Sequence, residues 1–200
     1  MGIVINPRGT GGSGKTALVR RIMQDYGPAV PIRRAGRQRP IGYRLRHPAA
    51  GRPLAVLGAY EGCRGGCDTI PLGDGGLEEA FRLAAAWAAE GQDVVLEGLL
   101  LSAEVQRTAA LAELHPVHVL RLATPLGDCT RALVARRRAG LEARPGIGQG
   151  AAMMDLAVEE ACRRLDRTAA RVERLEAGAA LRRARALLGL VDSPLLAVPA

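Results

Sequence analysis

Aromatic side chains are nearly missing: three Tyr, one Trp and one Phe in 200 residues. Modules that hold single-stranded nucleic acid irrespective of sequence do so by stacking bases on aromatic faces, so this composition excludes a module of that kind. Lysine is scarcer still. Of 28 basic residues only Lys15 is a lysine; the rest are arginine. The four cysteines are too few for a disulfide scaffold. Cys63 and Cys67 stand in a C-x3-C spacing, but no second close pair or His pair completes a tetrahedral zinc site, and reduced thiols are expected. No apolar run approaches the ~18 residues that span a bilayer; one of the longest, Leu83 to Ala89, stops at Glu90. Gly2 to Asn6 carries no basic leader. An untargeted cytoplasmic protein with no membrane contact is the expectation.

What is present is charge of one sign. The 28 basic residues exceed the 20 acidic ones by eight, and the pI is near 10.3. Such a balance favours a polyanionic partner, nucleic acid or nucleotide phosphate. A composition of 48% hydrophobic and 24% charged residues is that of a globular chain, and the length fits a single domain over residues 1–200.

Short apolar runs alternate with helical patterns. Gly2–Asn6 reads as a strand, Lys15 to Tyr26 as a helix stopped by Gly27-Pro28, and Ile41–His47 with Arg52–Gly58 as a hairpin. A helix over 77–90, a buried strand at 94–96, a helix over 102–114 with Ser102 as N-cap, and a strand at 117–122 follow. Thr124-Pro125 opens another helix with Pro in its first position. The alternation predicts an α/β fold, a parallel sheet covered by helices on both faces in three αβα layers. Residues 136–151, with the glycine-rich stretch Gly140–Gly150, read as a mobile lid. The segment over 151–190 reads as helical, led by one long helix from Ala151 to Ala177. Its stripe Met154, Val158, Ala161, Leu165, Thr168, Val172, Leu175 suits packing on its own domain or a dimer seam, so monomer and homodimer both stay open. Glu159–Arg163 and Glu160–Arg164 are the i,i+4 pairs of its wet side.

The strongest motif is Gly9-Thr10-Gly11-Gly12-Ser13-Gly14-Lys15-Thr16, which matches G-x4-G-K-[ST] between a predicted strand and a predicted helix. Glycines allow the turns that aim successive backbone N–H groups at phosphate oxygens, and the helix start adds its positive end. Lys15 then reaches the β- and γ-phosphates of ATP, and the Thr16 hydroxyl ligates Mg²⁺. A compact ammonium fits such a cradle where a forked guanidinium does not, which accounts for the lone lysine. The expected fold is therefore the kinase-type P-loop NTPase.

Two acids suit the reacting centre. Glu97 ends the strand Asp93-Val94-Val95-Leu96 and stands where a Walker B acid would hold Mg²⁺; Asp93, at the strand's start, belongs to the far end. Asp68 follows Gly65-Gly66-Cys67, where small residues let backbone approach phosphates, and could take a proton from a hydroxyl nucleophile or help hold the metal. Which of the two is the base stays open. Around the lid lie Arg131, Arg136, Arg137, Arg138 and Arg144; Arg131 and Arg136 are the ones expected to neutralise charge on a transferring phosphoryl group.

Together these residues resemble the small P-loop kinases. More narrowly, Leu57-Gly58-Ala59-Tyr60, then Gly65-Gly66-Cys67-Asp68-Thr69-Ile70, then Leu96-Glu97-Gly98-Leu99-Leu100 resemble the phage-associated 5-hydroxymethyluracil DNA kinases over about residues 2–145. The resemblance implies an ATP–Mg²⁺ site at Gly9–Thr16, Asp68 and Glu97 at the reacting centre, and a modified thymine in DNA as the acceptor. Tyr43 and Tyr60, the aromatics of the substrate-side insertion, and Arg64 are the residues expected on the substrate side. Two other readings fit the motifs: a kinase of a free nucleoside, nucleotide or other small hydroxyl compound, and a nucleotide-binding switch or toxin-like module without metabolic transfer.

Overall fold

Strands that are apolar at consecutive positions are what a sheet covered on both faces requires, and β1 (Val4–Arg8), β5 (Asp93–Val95) and β6 (Val117–Leu122) are buried at every position. The computed structural model describes residues 1–62 and 65–190. The zinc reading of Cys63 and the substrate reading of Arg64 lie outside those residues. The remaining strands are β2 (Ala29–Ile32), β3 (Gly42–Leu45), β4 (Leu54–Leu57) and β7 (Arg171–Leu175), and the sheet order is β2-β3-β4-β5-β1-β6-β7. From β4 to β7 every pairing is parallel; β2 and β3 extend one edge as antiparallel strands. Pro31 is tolerated because β2 is an edge strand, with no second partner awaiting its missing N–H.

Successive residues of each strand feed opposite faces. Val4, Ala55, Leu57, Val94, Val117 and Val119 enter one core, under α2 (Gly76–Ala89), α4 (Gln106–Leu114) and α6 (Arg144–Leu165). Ile5, Leu54, Val56, Val95, Leu120 and Leu122 enter the other, under α1 (Lys15–Tyr26) and α7 (Ala177–Leu187). The architecture is α/β in three layers. Two further helices, α3 (Leu99–Ser102) and α5 (Leu126–Arg137), stand over the carboxyl ends of the strands. No helix among the described residues is long and apolar enough to cross a membrane.

The structure corrects the reading of the second half. The stretch 140–150 is not a loop: after a 3-10 turn at Leu141–Ala143, α6 begins at Arg144 and packs Ile147 and Ala151 against Leu133 of α5. Tertiary contact overrides the poor helix propensity of three glycines there. Nor does one helix run from 151 to 177. It stops at Leu165, where the Thr168 hydroxyl donates to the Leu165 carbonyl (2.8 Å) and accepts the Ala170 N–H (3.2 Å). The chain then turns into β7, which pairs in parallel with β6, and α7 follows. Val158, Ala161 and Leu165 of the apolar stripe are buried within the domain, so they form no dimer seam. The ion pairs differ accordingly: Arg163 bonds Glu160, and Arg174 of β7 bonds Glu159. Ser102 is not an N-cap; it closes α3 and is fully buried, and Glu104 instead accepts the N–H groups of Arg107 and Thr108 at the start of α4. Pro125 sits at the N-cap of α5 rather than its first position.

Candidate active site

β1 delivers the chain to residues 9–14 at the carboxyl edge of the sheet, and α1 carries it away. Gly12 (φ 81°) and Gly14 (φ 94°) take left-handed backbone, which glycine adopts without strain. Gly12 also lies so close to α5 that a Cβ would overlap the Cys129 carbonyl. Among the described residues, no protein group accepts from the N–H of Gly12, Gly14, Lys15 or Thr16. These donors stand at the positive end of a twelve-residue helix, an arrangement suited to an anion. Lys15 is 7% exposed, and its ammonium donates to the Gly9 (2.7 Å) and Thr10 (3.1 Å) carbonyls. Burial lowers its pKa; Glu97 and then Asp68 oppose that, so both acids lie within its field.

Glu97 follows β5 and is 2% exposed. Its Oε1 accepts the Thr16 hydroxyl at 2.9 Å. Burial pushes the carboxyl pKa from 4.5 up to about 7, against the pull of Lys15 and Thr16. Asp68 is exposed; its carboxylate accepts the Leu99 N–H at 2.6 Å at the start of α3. The glycines around these acids exist for close approach: a Cβ on Gly66 would overlap the Glu97 carbonyl, one on Gly58 the Gly66 carbonyl, and one on Gly98 would sit 2.9 Å from Asp68 Oδ1. The Cys67 N–H donates to the Glu97 carbonyl (2.7 Å). The segments 57–60, 65–70 and 96–100 are thus one interlocked unit beside the glycine loop.

The structure brings together Lys15, Thr16, Asp68 and Glu97. It separates Arg131 and Arg136, the two arginines of α5 expected at the site. Arg136 is exposed with its charge felt at Lys15, whereas Arg131 pairs with Asp128 and lines a cleft of about 350 Å³ with Thr130, Val134 and Arg144. Five residues along a helix turn a side chain well away from the first. Tyr43 and Tyr60 are both buried and meet edge to face at 6.4 Å, so neither presents an open face for stacking. The Tyr60 hydroxyl is buried near Glu97 instead.

Residues absent from the motif reading hold this site in place. Arg8 is fully buried; it donates to Asn6 Oδ1 (2.7 Å), the Ser102 (3.2 Å) and Glu104 (2.6 Å) carbonyls and the Thr108 hydroxyl (2.6 Å), and burial lowers its pKa to about 10. Asn6 Nδ2 donates to the Leu96 carbonyl (2.9 Å), and Ser102 Oγ donates to the Gly98 carbonyl (2.7 Å). With the Gly9 N–H donating to Ser102 Oγ (3.4 Å), β1, the glycine loop and the segment bearing Glu97 are cross-tied. The sequence carried no signal for this, because Arg8 lies beyond the strand read at Gly2–Asn6 and only the structure extends β1 to it.

Thr16, Glu97 and Asp68 offer oxygen donors only, which suits a hard cation such as Mg²⁺; among the described residues no cluster of three or more His, Cys, Asp or Glu is set to hold a metal.

A mostly parallel sheet with an anion-ready loop, a buried lysine and two acids at one edge has the layout of a phosphotransferase. The "5-hmdU DNA kinase" of Pseudomonas phage PaMx11 is 42% identical to the chain over 145 residues, 72% of this chain and 74% of that protein. The chain belongs to the 5-hmdU DNA kinase family. No family model matches it.

Proposed function

We propose that this protein is a P-loop kinase that transfers the γ-phosphoryl group of ATP to the hydroxymethyl oxygen of 5-hydroxymethyluracil in DNA. The observation that carries the reading is the convergence of Asp68, Glu97 and Thr16 on the loop lysine, in a chain of this family. The N–H groups of Gly12, Gly14, Lys15 and Thr16 cradle the donor phosphates, and the Lys15 ammonium leaves the Gly9 and Thr10 carbonyls for phosphate oxygens. Thr16 and Glu97, with Asp68 alongside, would hold Mg²⁺, which neutralises charge on the phosphates. Asp68 is the acid an incoming substrate can reach, and we assign it as the base. The hydroxymethyl O–H proton passes to Asp68 as its oxygen bonds to the γ-phosphorus. The bond from that phosphorus to the bridging oxygen breaks, and ADP leaves. Arg136, whose charge is felt at Lys15, would balance charge at the same centre.

The test is transfer of labelled phosphate from ATP with three acceptors side by side: DNA containing 5-hydroxymethyluracil, unmodified DNA, and free nucleosides. Label on the modified DNA alone is the expected result. Label on free nucleosides alone would make the protein a small-molecule kinase.

A further inference from the structure

Three helices of this protein close in the same way. Beyond α2, Gly91 N–H returns to the Ala88 carbonyl (3.1 Å) and Gln92 N–H to Trp87 (3.0 Å). Beyond α7, Gly189 returns to Ala186 (3.3 Å) and Leu190 to Arg185 (2.9 Å). Beyond α5, Arg138 returns to Ala135 (3.2 Å) and Ala139 to Val134 (3.1 Å). This paired closure requires left-handed backbone at the residue that makes the first of the two bonds, just past the helix, where glycine is favoured because a Cβ crowds the chain. Gly91 (φ 85°) and Gly189 (φ 70°) obey the rule; Arg138 (φ 52°) is the one non-glycine with positive φ among the described residues.

Local structure does not account for an arginine there. Arg136 and Arg137 already occupy the last turn of α5, where cations offset the negative helix end. Among the described residues, Arg138 has no carboxylate partner, and its side chain is exposed. A costly backbone conformation kept by an exposed, unpaired cation points to an anion outside the chain. Its place fits. Gly11 and Gly12 of the phosphate loop pack against Leu133 and Cys129 of α5, and Arg136 is felt at Lys15, so α5 ends at the rim of the site. The donor phosphates have the loop N–H groups and Lys15. Of the arginines in the 33–46 segment, Arg34 and Arg37 are held by Glu79 and Asp74.

We propose that Arg138 grips a backbone phosphate of the acceptor polynucleotide at the rim of the site, an inference that rests on DNA being the acceptor. The end of α5, with Arg137 beside it, is then the positive track along which the strand lies.

The experiment measures binding of a 5-hydroxymethyluracil oligonucleotide, as duplex and single strand, across a salt series. It compares wild type, Arg138→Gly, Arg138→Asn and Arg138→Lys. Glycine and asparagine both accept left-handed backbone, so these variants should melt at or above the wild-type temperature; agreement between them separates loss of the cation from any change in folding. The expected result is a log–log salt slope shallower by about 0.9 on duplex and about 0.7 on single strand in the Gly and Asn variants. The Lys variant should keep the wild-type slope, and the ATP dissociation constant should not change. An unaltered slope in both uncharged variants overturns the proposal. So does weaker ATP binding with an unaltered slope, which would assign Arg138 to the donor. If wild type itself binds no DNA at any salt, the DNA-acceptor reading fails first and this one with it.

Discussion

At the scale of single residues, the site joins two kinds of constraint. Lys15 is the only lysine, and its compact ammonium reaches two loop carbonyls, a donor geometry that a planar, forked guanidinium does not reproduce. Lys15→Arg should therefore lower turnover by ~10²-fold or more, with circular dichroism unchanged; near-wild-type turnover would show that charge alone suffices. Asp68 and Glu97 differ in exposure, and their variants should differ in kind. Both Asp68→Asn and Glu97→Gln should lose about 10²–10⁴ in rate. Only Glu97→Gln, which weakens the pair with Thr16, should recover part of it in raised Mg²⁺ or in Mn²⁺. Rescue of Asp68→Asn instead would exchange the two roles.

Glu97 also carries a stability cost of its own. Its pKa is raised in the folded protein, from 4.5 to about 7, so folding favours the protonated acid. Below about pH 4.5 both states are protonated and nothing is lost. As pH rises from there to about 7, the unfolded state ionises first, and stability falls by an amount on the order of 3 kcal/mol, then levels off. Without metal, Glu97→Gln should melt at a higher temperature than wild type at pH 8, the difference closing near pH 4. Equal melting at both pH values would mean that the carboxyl is not destabilised by burial. Tyr60 belongs to the core rather than to a DNA-facing surface, because its ring fills the space beside Tyr43.

At the scale of elements, much of the first half of the chain was open to local reading, although the edge strand β2, with Pro31 inside it, was not. α1 begins and ends where glycine and proline place it, and the β3–β4 hairpin forms between its predicted runs. The second half was not. A continuous 4-3 apolar stripe cannot distinguish one helix of 27 residues from a helix, a strand and another helix, since Val172 and Leu175 also fit a strand half-buried against a core. The stop lies in a threonine side chain bonding its own backbone, a weak signal without glycine or proline. These elements are structural: β7 is the outer partner of β6, and α7 covers Ile22 and Leu120 through Ala180 and Ala184. A chain ending at Leu165 should lose cooperative thermal unfolding, followed by circular dichroism. Cooperative melting at the wild-type temperature would show that the first 165 residues stand alone.

At the scale of the whole molecule, the basic excess and the depth of the site bear on the substrate together. On the proposed reading the acceptor oxygen would have to reach Asp68 beside an enclosed lysine, which a base stacked in duplex would do only by leaving the stack. Unstacking costs a few kcal/mol, least where pairing is already absent. Mismatched and single-stranded 5-hydroxymethyluracil should thus be phosphorylated faster than the paired base, in side-by-side initial rates at fixed salt. Equal rates would place the reaction in the intact groove.

The sequence by itself determined the glycine turn between β1 and α1, α1 itself and the β3–β4 hairpin, because these rest on local physics: glycine at positive φ, glycine and proline at a helix end, and apolar runs bounded by turn residues. Only the tertiary structure decided that Gly58, Gly66 and Gly98 lock three distant segments together, that Arg8 and Ser102 brace the loop, and that Tyr43 and Tyr60 face inward. It also turned the presumed lid into the start of a packed helix. Each of these depends on which parts of the chain meet across the sheet, and composition and periodicity record only what each residue tolerates among its near neighbours.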